Sequence, residues 1–293
     1  MNMSIAGFLF KTKCEIYDTK RDRGRTVPGN IEYIEGLRYG NDPKWHTLDI
    51  CRPKDRKSRA TVINVHGGGY VYGSTKPYKF YCCDLAARGF TVVSFNYRLA
   101  PKYKFPAPLE DLNAVMQWVC ANCEEYGLDT ENIMMVGDSA GAQLASQYAA
   151  IWSNGEYADV MGVKPPKFRL AAVGLNCGMY DMVEFTKKKS GISSLLRDYF
   201  TSNPQRFGEK LRVLDYITAD FPPTYLLSSK GDFLLDCCEP MAELLLEKGV
   251  PCEYKIYGDE NTGHVFHVDF HTETAKQAND DELGFMSRYI VNR

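Results

Sequence analysis

Residues 137–141 read Gly-Asp-Ser-Ala-Gly, which places a serine between two glycines. The run Ile133 to Val136 before them is continuously apolar, and the segment Ser139 to Asn154 has helical spacing. A serine at a tight turn from strand to helix exposes its hydroxyl, and flanking glycines let neighbouring backbone approach. The spacing therefore predicts Ser139 as a nucleophile, with the Ala140 N–H facing a developing oxyanion. A glycine-rich turn in which the serine only caps the helix is the alternative.

A second glycine motif lies upstream, where residues 66–69 read His-Gly-Gly-Gly after the apolar run Ala60 to Val65. Three consecutive glycines leave backbone N–H groups unobstructed, and such a loop supplies half of the oxyanion hole beside a serine at this kind of turn. A glycine turn that caps the next helix is the alternative. We expect His66 to brace the loop by hydrogen bonding, because it precedes the serine and belongs to the glycine motif.

A serine hydroxyl needs a base, and the chain contains five histidines, at positions 46, 66, 264, 267 and 271. When the chain order is serine, then acid, then histidine, the first two are excluded. His264 follows the loop Gly258 to Gly263 directly after the last apolar run, so we predict that it is the base. His267 and His271 are expected to be surface or packing residues.

The spacing of the same three histidines would also align them on one face of a helix, as in a metal site. Gly263 favours a loop at His264 instead, and a zinc hydrolase would leave both glycine motifs without a role. We therefore expect no metal and no cofactor.

The acid that orients the base is predicted to be Asp232, which follows the apolar run Thr224 to Ser228. Asp236 and Asp259 are the competitors. Asp232 lies nearest to the end of the run, whereas Asp236 suits the first turn of the following helix.

Apolar and β-branched runs alternate with helical patterns along the chain, which predicts an α/β fold with a mostly parallel eight-stranded sheet and helices on both faces. The predicted strands are Ile31 to Tyr39, His46 to Cys51, Ala60 to Val65, Phe90 to Phe95, Ile133 to Val136, Leu170 to Asn176, Thr224 to Ser228 and Cys252 to Tyr257. The predicted helices are Tyr78 to Arg88, Pro108 to Tyr126, Ser139 to Asn154, Cys237 to Lys248 and Thr272 to Val291. The first two strands should form an antiparallel hairpin at one edge.

Two segments interrupt this alternation within what we expect to be a single α/β domain over residues 1–293. Met1 to Asn30 is polar and irregular beyond a short apolar start, and Met182 to Phe221 inserts a helix-rich, charged segment. We expect the insertion to form a lid over the edge of the sheet where ligands bind in open α/β folds.

Thirty-five basic and 37 acidic residues leave a net charge of -2, without a basic block that would bind a phosphate backbone. No apolar run approaches the ~20 residues that span a bilayer. We therefore expect neither nucleic acid nor a membrane as a partner, and a cytoplasmic location. The ten cysteines are expected to be reduced, and Cys120 with Cys123 to belong to a helix.

Several of these motifs together resemble the hormone-sensitive-lipase-like family of α/β-hydrolases. They are His66-Gly67-Gly68-Gly69, Tyr97-Arg98-Leu99-Ala100-Pro101 with Asp111 following, Gly137-Asp138-Ser139-Ala140-Gly141, Asp232 with Asp236, and His264. The resemblance implies an α/β-hydrolase fold and a serine carboxylesterase whose triad is Ser139, Asp232 and His264. It further implies oxyanion N–H groups from Gly68, Gly69 and Ala140, and cap elements from residues 1–30 and 182–221.

The sequence departs from the family pattern beside the proposed triad. Val265 replaces the glycine that usually follows the histidine, and Phe233 replaces the proline that often follows the acid. These differences bear on the shape of the pocket. Arg98 is expected to brace loops through a carboxylate such as Asp111 or Asp138.

The predicted substrate is a small, soluble short-acyl ester, with acetyl esters of carbohydrates as the narrower version. Tyr70, Tyr72, Tyr78 and Tyr81 lie beside the oxyanion loop, where they would wall off a small acyl pocket or stack on an alcohol. Two alternatives remain open: an arylformamidase or peptidase using the same triad, and a non-catalytic protein that binds a small molecule under its lid.

Overall fold

The computed structural model describes residues 3–187 and 191–291. Within them, eight strands form one sheet in the order β1-β2-β4-β3-β5-β6-β7-β8. The strands are β1 Ile31–Arg38, β2 Thr47–Pro53, β3 Thr61–Val65, β4 Thr91–Phe95, β5 Ile133–Asp138, β6 Leu170–Asn176, β7 Thr224–Ser229 and β8 Cys252–Tyr257. The eight runs predicted from the sequence are therefore the eight strands.

The sheet is mostly parallel, as predicted. β1 pairs with β2 and β2 with β4 in antiparallel fashion, whereas the other five pairs of neighbouring strands, from β4-β3 to β7-β8, are parallel. Every residue of β3, β4, β5, β6 and β7 is buried, which explains their largely apolar sequences. The antiparallel hairpin lies at one edge, and β8 forms the other.

Helices cover both faces of the sheet. They are α1 Ile5–Arg21, α2 Thr75–Ala87, α3 Ala107–Ala121, α4 Cys123–Tyr126, α5 Ala140–Ser153, α6 Gly155–Met161, α7 Met182–Lys187, α8 Ser193–Tyr199, α9 Cys238–Glu247 and α10 Glu273–Ser287. One apolar cluster includes Leu144 of α5 and Leu245 of α9, and a second includes Leu85 of α2 and Leu283 of α10. The sheet is thus buried between two layers, as α/β architecture requires.

The irregular character predicted for the N-terminal segment is wrong, because residues 5–21 form a helix. Ser4 caps it by accepting a hydrogen bond from Gly7 N at 3.0 Å. Asp198 of α8 in turn accepts hydrogen bonds from the Ser4 N–H and hydroxyl at 3.1 and 2.7 Å. The buried side of α1 therefore relies on a glycine and polar contacts, and its regularly spaced apolar residues, Ile5, Leu9 and Ile16, lie on the exposed side.

The insertion after β6 is helix-rich, as expected. It contains α7, α8 and two 3-10 segments, Pro204–Leu211 and Val213–Tyr216. Residues 1, 2 and 188–190 of the two predicted cap segments lie outside the described residues. The Tyr199 ring at the end of α8 stacks on Tyr70 with 3.9 Å between ring centroids, which fixes the insertion above the sheet.

Among the described residues, no helix combines the length and the apolar character needed to cross a membrane. Cys120 lies near the C-terminal end of α3, and Cys123 is the first residue of α4. Both cysteines therefore belong to helical segments, as predicted.

Candidate active site

Ser139 lies at the turn between β5 and α5, in a strained backbone conformation with φ 53° and ψ -117°. Its N–H donates to the Asn176 carbonyl of β6 at 2.8 Å, which ties the turn to the neighbouring strand. A Cβ on Gly137 would lie 2.5 Å from the Gly141 carbonyl oxygen, and one on Gly141 would collide with the Val65 carbonyl. Both glycines are therefore required by close backbone approach, and the turn holds the hydroxyl above the sheet.

The structure brings Ser139, His264 and Asp232 together from three separate loops at the carboxyl edge of the sheet. His264 Nε2 lies 2.9 Å from Ser139 Oγ, and His264 Nδ1 lies 2.7 Å from Asp232 Oδ1. Both distances are within hydrogen-bond range, so a proton on the serine has a path to the imidazole. These are the three residues predicted from the sequence.

Asp232 is buried and receives several hydrogen bonds. Ser228 Oγ donates to its Oδ2 at 2.8 Å and Leu234 N to its Oδ1 at 2.9 Å. Burial alone would raise the pKa of Asp232, yet the hydrogen bonds and the charge of His264 hold it below its usual value. The group is therefore a carboxylate at neutral pH, as an orienting partner for the imidazole must be.

The glycine loop passes over Ser139 with two residues in left-handed backbone conformations, Gly68 at φ 113° and Gly69 at φ 59°. Gly69 and Ala140 line the same cavity as Ser139. Gly68 shapes the loop as well, because its carbonyl accepts from the N–H groups of Val71 and Tyr72 at 3.2 and 3.0 Å. A side chain at position 68 would collide with the Tyr72 carbonyl.

His66 is fully buried at the start of this loop and stacks on Tyr97, with 4.1 Å between ring centroids. Its Nδ1 lies 2.8 Å from the Gly67 carbonyl, and the Tyr97 hydroxyl donates to the His66 carbonyl at 2.8 Å. Burial lowers the pKa of His66 to about 4, so the ring is neutral at physiological pH. These contacts fit the bracing role expected for it.

Asp138, the residue before the serine, ties the glycine loop to the turn. Gly67 N donates to its Oδ1 at 3.2 Å and the Tyr78 hydroxyl to its Oδ2 at 2.7 Å. Burial raises the pKa of Asp138 to about 6, although both hydrogen bonds act in the opposite direction. The two glycine motifs are therefore held in a fixed relation by one side chain.

Arg98 binds Asp111 through its backbone N at 2.7 Å and its guanidinium at 2.8 Å, and it also contacts Glu110. Of the two carboxylates suggested for it, Asp111 is therefore the partner. The ion pair joins the loop after β4 to α3, away from Ser139.

The three histidines that suggested a metal site do not converge. His264 faces Ser139, whereas His267 is buried with its ring edge-on to Tyr81, and His271 is exposed beside Phe270. Within the described residues, one set of side chains brings metal-ligating atoms together: Cys177, Asp232 and His264, within 4.8 Å of one another. Because both nitrogens of His264 and both oxygens of Asp232 already have hydrogen-bond partners, a metal would have to displace these contacts.

Both departures from the family pattern lie against His264. Val265 has φ 61°, a left-handed conformation that is costly for a β-branched residue and explains why a glycine is usual there. The Phe233 ring lies 4.4 Å from the His264 ring and is 62% exposed. An apolar side chain therefore stands at the mouth of the site.

Two spaces that share part of their lining lie at the site, and the smaller one borders Ser139. A cavity of about 40 Å³ contains Ser139, His264 and Tyr70. Next to it lies a cleft of about 650 Å³, and both are bordered by Ile192, Phe233 and Leu234. The cleft is within the usual size range of small-molecule sites.

Sequence reasoning did not identify half of the twelve residues that line the small cavity. Leu234 lies next to Phe233, and the other five come from the cap segments and the loop after β6: Phe10, Met179, Ile192, Leu195 and Leu196. Of the four tyrosines considered, Tyr70 alone is among the lining residues. Tyr72 donates to Asp18, Tyr78 donates to Asp138, and Tyr81 is buried against His267. No local sequence pattern distinguishes these cavity-lining residues from core residues, because both are of the same apolar types.

Comparison with known proteins is consistent with this geometry. The model of a family described as having the alpha/beta hydrolase fold matches residues 62–268. The chain belongs to this α/β-hydrolase family. The resemblance to its hormone-sensitive-lipase-like members is thereby confirmed, and the chain is a serine hydrolase of carboxylic esters.

Individual relatives agree with this assignment. The chain is 28% identical over 249 residues to an acetyl esterase of Salmonella paratyphi A, covering 80% of this chain and 73% of that one. Esterase B from Lactobacillus rhamnosis has the same fold, with a TM-score of 0.87 and 23% identity over 97% of this chain and 93% of that one. An esterase of Pyrobaculum calidifontis superposes with a TM-score of 0.75 at 25% identity, over 99% and 94% of the two chains.

Behind the serine turn, this hydrolase buries the carboxyl group of Glu282 on α10 beside the side-chain amide of Asn176 on β6. Gly174 makes room for Glu282, because a Cβ at position 174 would collide with its Oε1. Burial raises the pKa of Glu282 to about 7, and the Asn176 side chain offsets this only in part.

Glu282→Gln is expected to stabilise the protein more at pH 8 than at pH 5. The folded protein holds a proton on Glu282 up to about pH 7, whereas the unfolded chain releases it near the ordinary glutamate pKa of 4.5. The stability of the native protein therefore falls as pH rises through this window, by an amount on the order of 3 kcal/mol. Urea unfolding at both pH values measures the difference, and Glu243→Gln, on an exposed face of α9, is the control. An equal effect of Glu282→Gln at pH 5 and pH 8 would contradict this account.

Proposed function

We propose that the chain hydrolyses short-acyl esters through an acyl-enzyme intermediate, with Ser139 as the nucleophile. The observation that carries this proposal is the unbroken hydrogen-bond path from Ser139 Oγ through the His264 ring to the Asp232 carboxylate, at 2.9 and 2.7 Å. His264 Nε2 accepts the serine proton as Oγ attacks the ester carbonyl carbon. Asp232 holds the Nδ1–H tautomer and stabilises the imidazolium that forms.

The negative charge of the tetrahedral intermediate is stabilised by the backbone N–H groups of Gly69 and Ala140. We assign the N–H of Gly68, in the same loop as Gly69, as a further donor. Each such donor contributes roughly 10²–10³ in rate in hydrolases of known geometry. The His264 imidazolium then protonates the departing alcohol. Water loses a proton to the same nitrogen and attacks the acyl carbon, and the serine leaves with that proton, which restores the starting state.

The two spaces beside Ser139 favour an ester with a small acyl group and a larger alcohol. A volume of about 40 Å³ has room for roughly three water-sized groups, which suits an acetyl to butyryl chain. The cleft of about 650 Å³ is left for the alcohol. Its lining combines Tyr180 with the carboxylates of Asp181 and Asp236, which accept hydrogen bonds from hydroxyl groups. We therefore propose acetylated carbohydrates as one group of substrates, in agreement with the acetyl esterase relative.

We further propose that residues 1–30 and 182–221 act as a cap of one α/β domain. Phe10 of α1 and Leu195 and Leu196 of α8 support this, because they form part of the wall around Ser139. Removing water from the site strengthens each of the electrostatic contacts described above.

Leu195→Ala is expected to shift the acyl preference toward longer chains. The Leu195 side chain faces Gly69, with its Cδ1 2.9 Å from where a Cβ on that glycine would lie. Truncation removes three carbons from the wall, so the kcat/KM ratio of p-nitrophenyl octanoate to acetate should rise roughly tenfold. Leu244→Ala, a half-buried leucine on α9, should leave that ratio unchanged.

A series of p-nitrophenyl esters of increasing acyl length also tests the proposed short-acyl esterase activity. Acetate and butyrate esters should be turned over faster than octanoate by the unmodified protein, and acetylated sugars should be deacetylated. A preference for octanoate that Leu195→Ala does not alter would contradict the assignment of the small cavity to the acyl chain.

A further inference from the structure

The outward face of α1 carries a stripe of exposed apolar side chains. Ile5, Leu9 and Ile16 follow the spacing of one helical face, and they are 81%, 61% and 65% exposed. Phe8 and Tyr17 flank them at 60% and 57%. Five of the nine exposed large apolar residues found among the described residues thus lie on this one helix. Such a concentration is unusual for a surface helix, which normally presents polar residues to water.

The stripe is connected to the mouth of the candidate active site. Phe10, on the opposite side of the same helix, lines the cavity that contains Ser139 and His264. Tyr17 borders a cleft that also reaches His264. The exposed Phe233 ring continues the apolar surface beside the imidazole. Whatever covers the stripe therefore lies next to the entrance of the site.

The N-terminal segment is also the basic part of an otherwise acidic chain. Residues 1–25 contain six basic and three acidic residues, a net charge of +3, whereas the whole chain carries -2. The three acids all have ion-pair partners within the segment: Glu15 pairs with Lys11 at 3.7 Å, and Arg21 contacts Asp18 and Asp22 at 2.8 and 2.7 Å.

The basic side chains that face solvent are Lys13, Lys20 and Arg23. Lys13 and Lys20 project beside the apolar stripe, on the same outward side of α1. Long basic side chains at the border of an apolar face place their charge at headgroup level while the apolar residues are buried. Apolar side chains bordered by lysines on a short surface helix are the features that bind anionic lipid interfaces.

Contrary to the expectation from composition that no membrane is a partner, we propose that the outward face of α1 docks on an anionic lipid surface, with the helix lying in the plane of the interface and the entrance to Ser139 beside it. A second copy of the chain fits this face less well. Stable protein interfaces take about 20–30 residues a side, whereas the stripe offers five side chains on one helix. Self-association would also oppose two segments that each carry +3.

Vesicle co-sedimentation of the full chain tests this docking surface. Wild-type protein should bind phosphatidylcholine vesicles that contain 30 mol% phosphatidylglycerol, and bind pure phosphatidylcholine several-fold more weakly. Leu9→Gln with Ile16→Gln should lower the partition coefficient by about tenfold or more, because two apolar side chains can no longer be buried. Lys13→Gln with Lys20→Gln should lower binding to the anionic vesicles by roughly fivefold for each lysine.

Matched variants elsewhere serve as controls. Leu246 on α9 is 59% exposed and Ile256 on β8 is 43% exposed, so Leu246→Gln with Ile256→Gln, which leaves α1 unchanged, should bind vesicles like the wild type. Lys164→Gln with Lys248→Gln removes the same charge from exposed positions outside α1. Turnover of p-nitrophenyl acetate without vesicles should stay within twofold in all these variants, which shows that they fold.

Two results would overturn the docking proposal. One is binding to anionic vesicles that is absent in the wild type or equal in the α1 and control variants. The other is a dimer, measured by analytical ultracentrifugation, that Leu9→Gln with Ile16→Gln dissociates, because the face would then be a contact between copies. Vesicle binding needs no turnover, so Ser139→Ala should bind vesicles like the wild type. The docking surface and the esterase activity are therefore tested independently.

Discussion

Ser139→Ala is expected to lower kcat for p-nitrophenyl acetate by a factor on the order of 10⁵–10⁶. The substitution removes the atom that forms the acyl-enzyme, and only the oxyanion donors and substrate binding remain to accelerate the reaction. KM should change little, because the hydroxyl contributes to the transition state more than to substrate binding. Steady-state kinetics at pH 8 measure the loss.

A fluorophosphonate probe tests the same residue without turnover. The wild-type protein should gain the mass of one phosphonyl group on the peptide containing Ser139, and Ser139→Ala should gain none. Ser153→Ala is the matched control, since it makes the same deletion near the other end of α5, where the hydroxyl donates to the Ala149 carbonyl. A Ser139→Ala protein with near-wild-type turnover would exclude the proposed nucleophile.

Asp232→Asn is expected to lower kcat by about 10⁴-fold while leaving the fold intact. An asparagine at this position donates an N–H to His264 Nδ1, which forces the proton of the neutral imidazole onto Nε2. That nitrogen then faces Ser139 Oγ, 2.9 Å away, and can no longer accept its proton. The amide also keeps the size of the carboxylate, and its oxygen, in the place of Oδ2, still accepts from the Ser228 hydroxyl, whereas the Leu234 N–H loses its acceptor.

The competing acids provide the controls for this prediction. Asp236 is exposed four residues away, and Asp259 accepts hydrogen bonds within its own loop, from Asn261 N at 2.9 Å. Asp236→Asn and Asp259→Asn should each retain kcat for p-nitrophenyl acetate within a few-fold, because the alcohol of this ester carries no further hydroxyl groups for Asp236 to bind. If either abolished turnover while Asp232→Asn did not, the acid would have been assigned to the wrong loop.

Motifs with a steric requirement were visible in the sequence because only one residue type satisfies them. The approach of Gly141 to the Val65 carbonyl excludes any side chain, and strands that are buried on both faces favour apolar residues. The position of such residues along the chain therefore carries structural information by itself. The order of Ser139, Asp232 and His264 likewise followed from where each apolar run ends.

Helix α1 shows the limit of sequence reasoning. Its buried side holds Gly7 and the capping Ser4, and Asp198 from a distant part of the chain completes the contacts, whereas its apolar residues face outward. A pattern that assumes an apolar buried face cannot detect such a helix, because the stabilising contacts are tertiary. The buried Glu282 is a similar case, since the space for it comes from Gly174 on another element.

The sequence by itself determined the α/β fold, the eight strands, and the identity of the nucleophile, base and acid as candidates. Each depends on local constraints: burial of a strand on both faces, close backbone approach at a turn, and the order of loops along the chain. Only the tertiary structure decided the volume beside Ser139, the role of Phe10 and Leu195 as its walls, and the apolar outer face of α1. These features arise where segments far apart in the chain meet, and local composition does not record which segments those are.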